Sequence, residues 1–354
     1  MARRSSAGAD DRLPVAVLGA TGAVGQRFVS LLDRHPWFRV TALAASERST
    51  GKRYGDAARW FLERPMPEWA AGMEVVPCRP GLPAGLVFSG LDAAVAGEVE
   101  QEFASAGHVV VSNSRNHRMD PEVPLLVPEI NEDHLDLIAA QRKRYPRGGM
   151  IVTNPNCSTM GLVLAVGPIH RAFGIERLVV ATLQAVSGAG YPGVPAVDIL
   201  DNVMPYIPGE EEKMESETLK ILGAPHSSAG FPISAHCHRV HVSDGHTLAV
   251  SIKTAKQATP AQAVQVLRRF RSPLDRLGLP SLPPRPLAVS ERDDRPQPRF
   301  DRMAGDGMVV SVGRVRRCPA LDLKLVALVH NTIRGAAGGA ILNAELLRAK
   351  GYLQ

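Results

Sequence analysis

Between residues 13 and 32 the chain reads LPVAVLGATGAVGQRFVSLL, and this stretch limits the fold more than any other. The apolar run over 15–18 suits a strand buried on both faces of a parallel sheet. Gly19, Gly22 and Gly25 follow with G-x-x-G-x-x-G spacing. Val24, Phe28, Leu31 and Leu32 then take helical spacing. Strand, glycine turn and helix in that order let the backbone approach a pyrophosphate closely, and the helix start offers it free N–H groups. Gly19, Thr21, Gly22, Ala23 and Val24 are therefore the expected cofactor contacts of the turn. The motif alone is weak, but here it stands in the context that gives it meaning.

Further strands are expected at 38–44, 86–88 and 109–111, with a helix over 93–106 between the last two. That alternation predicts an α/β fold built on a Rossmann-type, doubly wound parallel sheet. The second half reads differently. Long strands at 177–186, 233–242, 247–254, 308–317 and 321–330, with helices at 159–173, 213–222 and 260–270, predict a second α/β unit with a mostly antiparallel sheet. At 354 residues two domains are the ordinary outcome. The expected division is a polar, disordered tail over 1–12, a cofactor domain over 13–150, and a catalytic and dimerisation domain over 151–330. A C-terminal helix over 331–354 would pack back on the first domain.

The loop LAASERSTGK, residues 43–52, follows the second strand. Folds that bind NAD place an acid at that strand end to hold the ribose 2′-OH. Ser46, Arg48 and Ser49 stand there instead, and hydroxyls with a cation suit a 2′-phosphate. NADP is the expected cofactor, with Glu47 as the one acid in the same loop.

The formal charge of +6 comes without a dense Lys/Arg run, and aromatics are only 5%. Small anions fit this better than nucleic acid. No apolar run has membrane-spanning length, so no membrane partner is expected. Cys78, Cys157, Cys237 and Cys318 lie far apart and none has zinc-ligand spacing. No metal site is expected, and reduced thiols in a cytoplasmic protein are the simplest reading.

One of those cysteines has chemical surroundings. In IVTNPNCSTMG, residues 151–161, Cys157 stands between a short strand and a helix start. The positive end of a helix lowers a thiol pKa, and the adjacent N–H groups can stabilise an oxyanion. A thiol nucleophile also needs a proton partner. Eleven histidines compete. His246 lies in a turn-like VSDGHT segment, and His236, His238 and His241 are close by. Alternation puts His236 and His238 on one face and His241 on the other, and spacing alone does not choose among them.

GATGAVGQRF, TNPNCST, QAVSGAGYPGVPAVDILDNVMPYIPGEEEK, SDGHT and HNTIRGAAGGAILNAELL together resemble the aspartate-semialdehyde dehydrogenases, in particular their archaeal and fungal branch, over about residues 13–353. The resemblance implies NADPH-dependent reductive dephosphorylation of 4-phospho-L-aspartate to L-aspartate 4-semialdehyde, on the route to lysine, threonine, methionine and isoleucine. It implies Cys157 as the nucleophile that carries a thioester and His246 as the acid/base. Arg239 would hold the substrate carboxylate, Glu210 its amino group, and Asn156 the reacting carbonyl. Asn113, Arg118 and Lys213 would bind phosphate. Gly188 and Asn331 would approach the nicotinamide. A homodimer or homotetramer assembled through the second sheet is implied as well. Two positions depart from the family pattern: His238 replaces an asparagine, and Arg115 stands where a small residue or lysine is common. The rivals are a related reductase, such as malonyl-CoA reductase or N-acetyl-glutamyl-phosphate reductase, and a non-catalytic NADP-binding paralogue.

Overall fold

The structure, a computed structural model, describes residues 11–353. The tail expected over 1–12 therefore lies, through residue 10, outside the described residues. The first sheet has six strands: β1 (Leu13–Leu18), β2 (Phe38–Ala45), β3 (Val75–Pro77), β4 (Leu86–Ser89), β5 (Val109–Ser112) and β6 (Met150–Thr153). Their order is β3-β2-β1-β4-β5-β6, and every neighbouring pair is parallel. The order reverses at β1, the point where a doubly wound sheet binds its ligand. β3 was not expected. Three residues ending in a proline leave no alternation to read.

Helix α1 (Ala23–Leu31) packs Phe28 and Val29 against Val15, Val17, Leu86 and Phe88. Helix α2 (Ala93–Ser105) is capped by Asp92, which accepts from the Ala94 N–H. It buries Phe103 on the opposite face with Ala16, Leu18 and Val110. Both faces of the sheet are thus covered, which is why its strands are apolar runs rather than alternations.

The second sheet has seven strands: β7 (Ile175–Gln184), β8 (Val203–Met204), β9 (Ile233–Val240), β10 (His246–Thr254), β11 (Leu287–Val289), β12 (Val310–Arg317) and β13 (Leu323–Val329). The order is β11-β12-β13-β10-β7-β9-β8. The pairs β11–β12 and β7–β9 are parallel and the other four antiparallel, so the sheet is mixed and mostly antiparallel.

One face of this sheet lies under helix α3 (Cys157–Phe173), which is buried along most of its length, from Ser158 to Ile169. Met160, Leu162 and Val163 meet Leu178, Val180, Leu248, Val250 and Ala327. Helices α4 (Glu210–Leu222) and α5 (Pro260–Arg269) complete the layer. The other face stays open, with Val179 and Leu183 of β7 and Val203 of β8 exposed.

The chain then returns to the first sheet. A π turn over Ile333–Ala337 leads into helix α6 (Gly338–Ala349). Ile333, Ala337, Ile341, Leu342 and Leu346 share a core with Val15, Phe88 and Val111. Glu345, buried in α6, bonds to His35 Nε2 and to Ser281. Among the described residues no helix is long and apolar enough to cross a membrane.

Candidate active site

Cys157 is the first residue of α3, directly after the last strand of the first sheet and its link. Asn156 caps the helix: its Oδ1 accepts from the N–H of Ser158 at 2.9 Å and of Thr159 at 3.4 Å. An asparagine oxygen in that place satisfies donors that the helix cannot. The helix therefore starts two residues before the expected 159.

The partner arrives from the second sheet. Alternation along β7, β9 and β10 turns Gln184, Arg239 and His246 to the face that α3 covers, and register brings them together. Gln184 pairs with Arg239, and Leu183 with Thr247. His246 Nε2 lies 3.2 Å from Cys157 Sγ. The other ring nitrogen, Nδ1, accepts the Ala185 N–H at 3.0 Å. A nitrogen that accepts carries no proton, so the neutral ring holds its hydrogen on Nε2, toward the sulfur. Of the histidines left open by spacing, His236 and His238 face the other side of the sheet, and His241 lies beyond the end of β9.

The electrostatics correct one expectation. Cys157 keeps some exposed surface, yet the protein packed around its sulfur pushes the thiol up to about 12, and Glu210 pushes the same way. Arg239, Arg118 and Lys213 pull it down without winning. The helix start was expected to lower this pKa. That effect is typically about 0.3–1 kcal/mol and reaches ~2 in buried geometries. A rise from an ordinary thiol value to about 12 corresponds to roughly 4 kcal/mol against the thiolate. Burial also holds His246 well below its ordinary range, helped by Arg239 and His330. The resting pair is a thiol beside a neutral imidazole.

Above this pair runs the segment 185–190. A Cβ on Gly188 would come within 2.8 Å of Arg239 Nη1 and 3.1 Å of His246 Nε2. A side chain there would have to push the Arg239 guanidinium and the His246 ring aside. Asn331 Nδ2 donates to Ser187 Oγ at 2.8 Å, and its Oδ1 accepts the Gly245 N–H. Asn331 thus ties the loop of Gly188 to the turn that precedes His246.

Arg239 is buried and gives Nη1 to the Ala185 carbonyl at 2.8 Å. Burial lowers its pKa, against the raising effect of Cys157 and Glu210. Among the described residues no carboxylate lies within ion-pair distance of it. Glu210, by contrast, is fully engaged. Asn156 Nδ2 donates to its two oxygens at 3.0 and 2.8 Å, Gln184 Nε2 to one at 3.3 Å, and Lys213 Nζ forms an ion pair with it. Burial alone would raise this carboxyl, but Lys213 and the two amides hold it below its usual range.

Arg118 pairs with Glu217 and donates to the Asn113 carbonyl. The Asn113 side chain meets Asn154, which in turn reaches the Ala336 carbonyl of the π turn and Asn343 of α6. Asn156, Cys157, Glu210, Lys213, Arg239, His246, Arg118, Asn113, Gly188 and Asn331 thus form one connected site. Sequence reasoning passed over Gln184, which sits between Thr182 and Glu210. Its signal was a polar residue at an inward position of β7. It also passed over Glu217, seven residues after Glu210 on α4.

The cofactor elements gather at the C-terminal edge of the first sheet. Gly19 has φ +69, and a Cβ there would lie 2.7 Å from the Gly90 carbonyl oxygen. Tyr54 Oη donates to the Ala20 carbonyl and Gln26 Nε2 to that of Thr21, fixing the turn from behind. The start of α1, at Gly22, has no side-chain cap. Its free N–H groups under a turn that admits no side chain fit a pyrophosphate. Ser46 and Arg48 are exposed and Ser49 half-buried at the end of β2, the strand beside β1. Arg48 has no ion-pair partner among the described residues, which suits a phosphate. A cleft of 580 Å³ runs from Ala23 of α1 to Val186, Ser187 and Gly190 of the covering loop. Arg59 Nη1 bonds Tyr191 Oη, and Phe61 stacks on the same ring, so loops that follow β2 and β7 meet across this cleft.

A glycine-turn sheet joined to a mixed sheet, with thiol and imidazole held at the seam, is the plan of the semialdehyde dehydrogenases. The family model of the semialdehyde dehydrogenase NAD-binding domain matches residues 14–138, and that of the semialdehyde dehydrogenase dimerisation domain matches residues 166–334. The aspartate-semialdehyde dehydrogenase of Methanothermobacter thermautotrophicus is 50% identical over 341 residues, covering 94% of this chain and 98% of its own. That of Cryptococcus neoformans is 47% identical over 360 residues, covering 97% and 99%. The crystal structure of the Candida albicans aspartate-semialdehyde dehydrogenase with NADP superposes with a TM-score of 0.88 at 44% identity, over 97% of this chain and all of that one. The chain belongs to the aspartate-semialdehyde dehydrogenase family.

Proposed function

We propose that the protein reduces 4-phospho-L-aspartate to L-aspartate 4-semialdehyde with NADPH, through a thioester on Cys157, as a step of amino-acid biosynthesis. The observation that carries this is the 3.2 Å contact of Cys157 Sγ with His246 Nε2, at a helix start flanked by Arg239 and Glu210. The free nitrogens of Arg239 take the substrate α-carboxylate in a planar fork. Glu210 takes the ammonium group. Lys213 now occupies that carboxylate, so an incoming ammonium displaces it, and the released cation is free to meet the phosphate with Arg118. A retained Glu210 favours an amino-bearing substrate over malonyl-CoA.

The Cys157 sulfur attacks the acyl carbon, the C–O bond to phosphate breaks, and the thiol proton leaves with the phosphate. No standing thiolate is needed, which suits a thiol held at about 12. The glycine turn, with Ser46, Arg48 and Ser49 toward a 2′-phosphate, would hold NADPH, whose chemistry would be hydride supply. Asn156 holds the carbonyl end of the acyl group near the start of α3. His246 gives its Nε2 hydrogen bond to the carbonyl oxygen as charge builds there. As the C–S bond breaks the sulfur takes up one proton from solvent, relayed through His246 Nε2, which hands on its own hydrogen and is reprotonated in the same step. A covalent intermediate divides one hard displacement into two easier steps.

Residues 13–150 act as the cofactor domain and 151–330 as the catalytic and dimerisation domain, with the C-terminal helix closing on the former. The protein is a homo-oligomer. Its open sheet face, with Val179, Leu183 and Val203 exposed, serves as the dimer contact, and free thiols suit the cytoplasm.

The test follows NADPH absorbance with NADP⁺ and L-aspartate 4-semialdehyde, with and without inorganic phosphate. The expected result is reduction of NADP⁺ that requires phosphate. Equal rates with coenzyme A in place of phosphate would move the assignment to an acyl-CoA reductase. NADP binding with no turnover would make the chain a non-catalytic paralogue.

A further inference from the structure

Glu210 and Glu217 stand seven residues apart on α4, two turns along one face. Substrate recognition accounts for the first and not for the second. Glu217 is 1% exposed, and a carboxylate at that depth costs free energy unless it is partnered. Both of its partners come from the site. Oε1 accepts from Arg118 Nη1 at 2.9 Å, and Oε2 accepts the backbone N–H of Asn156 at 2.6 Å.

Arg118 gives its other terminal nitrogen to the Asn113 carbonyl at 2.7 Å. Lys220, three residues past Glu217, donates to the carbonyls of Arg118, Asp120 and Val123 at 2.7, 2.8 and 2.9 Å. The loop from Asn113 to Val123 is thus pinned along α4. Among the described residues, Glu217 is the side chain that touches both the guanidinium of that loop and the residue before the nucleophile. A guanidinium has five N–H groups, so Arg118 keeps donors beyond these contacts.

We propose that Glu217 is a positioning residue for the phosphate half of the reaction. Its one carboxylate fixes the Arg118 guanidinium relative to Asn156, and so places the phosphate at a set distance from Cys157. This rests on reading Arg118 as a phosphate ligand. The opposite physical outcome is well defined. If Glu217 only competed with phosphate for Arg118, its removal would tighten phosphate binding.

The experiment measures KM for phosphate, KM for L-aspartate 4-semialdehyde and kcat in Glu217→Gln. The glutamine oxygen still accepts from Asn156, but its NH₂ faces Arg118 and cannot. Loss of a charge-assisted bond predicts a KM for phosphate raised about tenfold. The semialdehyde KM should stay within about twofold and kcat within about threefold, since the Asn156 contact survives. Glu217→Ala also removes that contact, and should lower kcat on the order of 10²-fold besides. Glu215→Gln, on the same helix and bonded among the described residues to the Ala235 N–H alone, tests for a merely structural effect and should leave the phosphate KM in place.

An unchanged or lowered phosphate KM in Glu217→Gln overturns the proposal, as does an equal loss in every parameter. Circular dichroism and NADPH binding establish folding. If the glutamine variant unfolds, Glu217→Asp, which keeps the charge one methylene short, must show a selective rise in phosphate KM, and an unmoved value overturns the proposal. A wild type indifferent to phosphate refutes the functional reading and this proposal with it. A phosphate-dependent wild type beside an unmoved variant refutes the positioning role alone.

Discussion

Glu210→Gln should make Cys157 more reactive toward a simple alkylating agent while it cripples turnover. After burial, Glu210 is the group that holds the Cys157 thiol up, and the cations Arg239, Arg118 and Lys213 oppose it. Neutralising Glu210 deletes the negative charge and also releases Lys213 from its ion pair. Both changes favour the thiolate. With a pKa of about 12, roughly one wild-type thiol in 10⁴ is ionised at pH 8. A neighbouring charge shifts a pKa by about 1–3, and the lower end of that range predicts about tenfold more thiolate. Iodoacetamide offers no leaving phosphate to take the thiol proton and reacts with the thiolate, so its alkylation of Cys157 at pH 8 should rise about tenfold. The catalytic efficiency with semialdehyde should fall on the order of 10²-fold or more, from the loss of a charged contact in a desolvated site. Mass spectrometry of the peptide bearing Cys157 separates its alkylation from that of Cys78. In the wild type the log of the rate should climb with pH, without a plateau below about pH 10, and the variant should run parallel and higher. Alkylation that is unchanged or slower in the variant would refute this account of the electrostatics.

Three further outcomes are expected. Cys157→Ala should abolish turnover while NADPH still binds, as read by fluorescence titration. Arg48→Ala should raise KM for NADPH and leave KM for NADH nearly unchanged, and equal use of both cofactors by the wild type would contradict the 2′-phosphate reading. Stability should fall as pH drops below about 6.5. Burial holds His246 well below its ordinary range, His330 at about 4, and His134 and His170 lower than usual. Between those values and 6.5 the unfolded chain binds more protons than the folded one. Their stabilisation is thus complete above 6.5 and is lost as pH falls through the folded values. A melting temperature that is flat from pH 7 to 5 would contradict it.

What the sequence made legible was local. The glycine turn is readable because its spacing follows a strand and opens a helix within twenty residues. Cys157 is readable because Asn156 and the strand before it mark a helix start. The long strands of the second sheet announce themselves by alternation. The features that escaped depend on partners far along the chain. The direction of the Cys157 pKa is set by packing from α4 and the second sheet, which no local pattern reports. Glu217 looks like one more acid in a charged helix, and only Arg118 and Asn156, 99 and 61 residues away, reveal it. Helix α4 starts at Glu210 rather than 213 because Gly209, at φ +69, ends the preceding turn in a conformation few residues adopt.

The same distinction explains why the site lies where it does. Helix α3 belongs to both sheets. Its first residue follows β6, at the C-terminal edge where a parallel sheet presents its ligand. Its body covers the inner face of the second sheet, where register lines up Gln184, Arg239 and His246. Cys157 at that helix start therefore lies between the glycine-turn sheet on one side and Gln184, Arg239 and His246 of the second sheet on the other. The π turn behind it closes the arrangement: a Cβ at Gly335 would lie 2.7 Å from Cys157 Cβ and 3.0 Å from its Cα. Backbone alone can press that close, and the C-terminal segment thus packs directly against Cys157. One helix with a glycine behind its first residue sets the glycine-turn sheet and the mixed sheet against each other at Cys157.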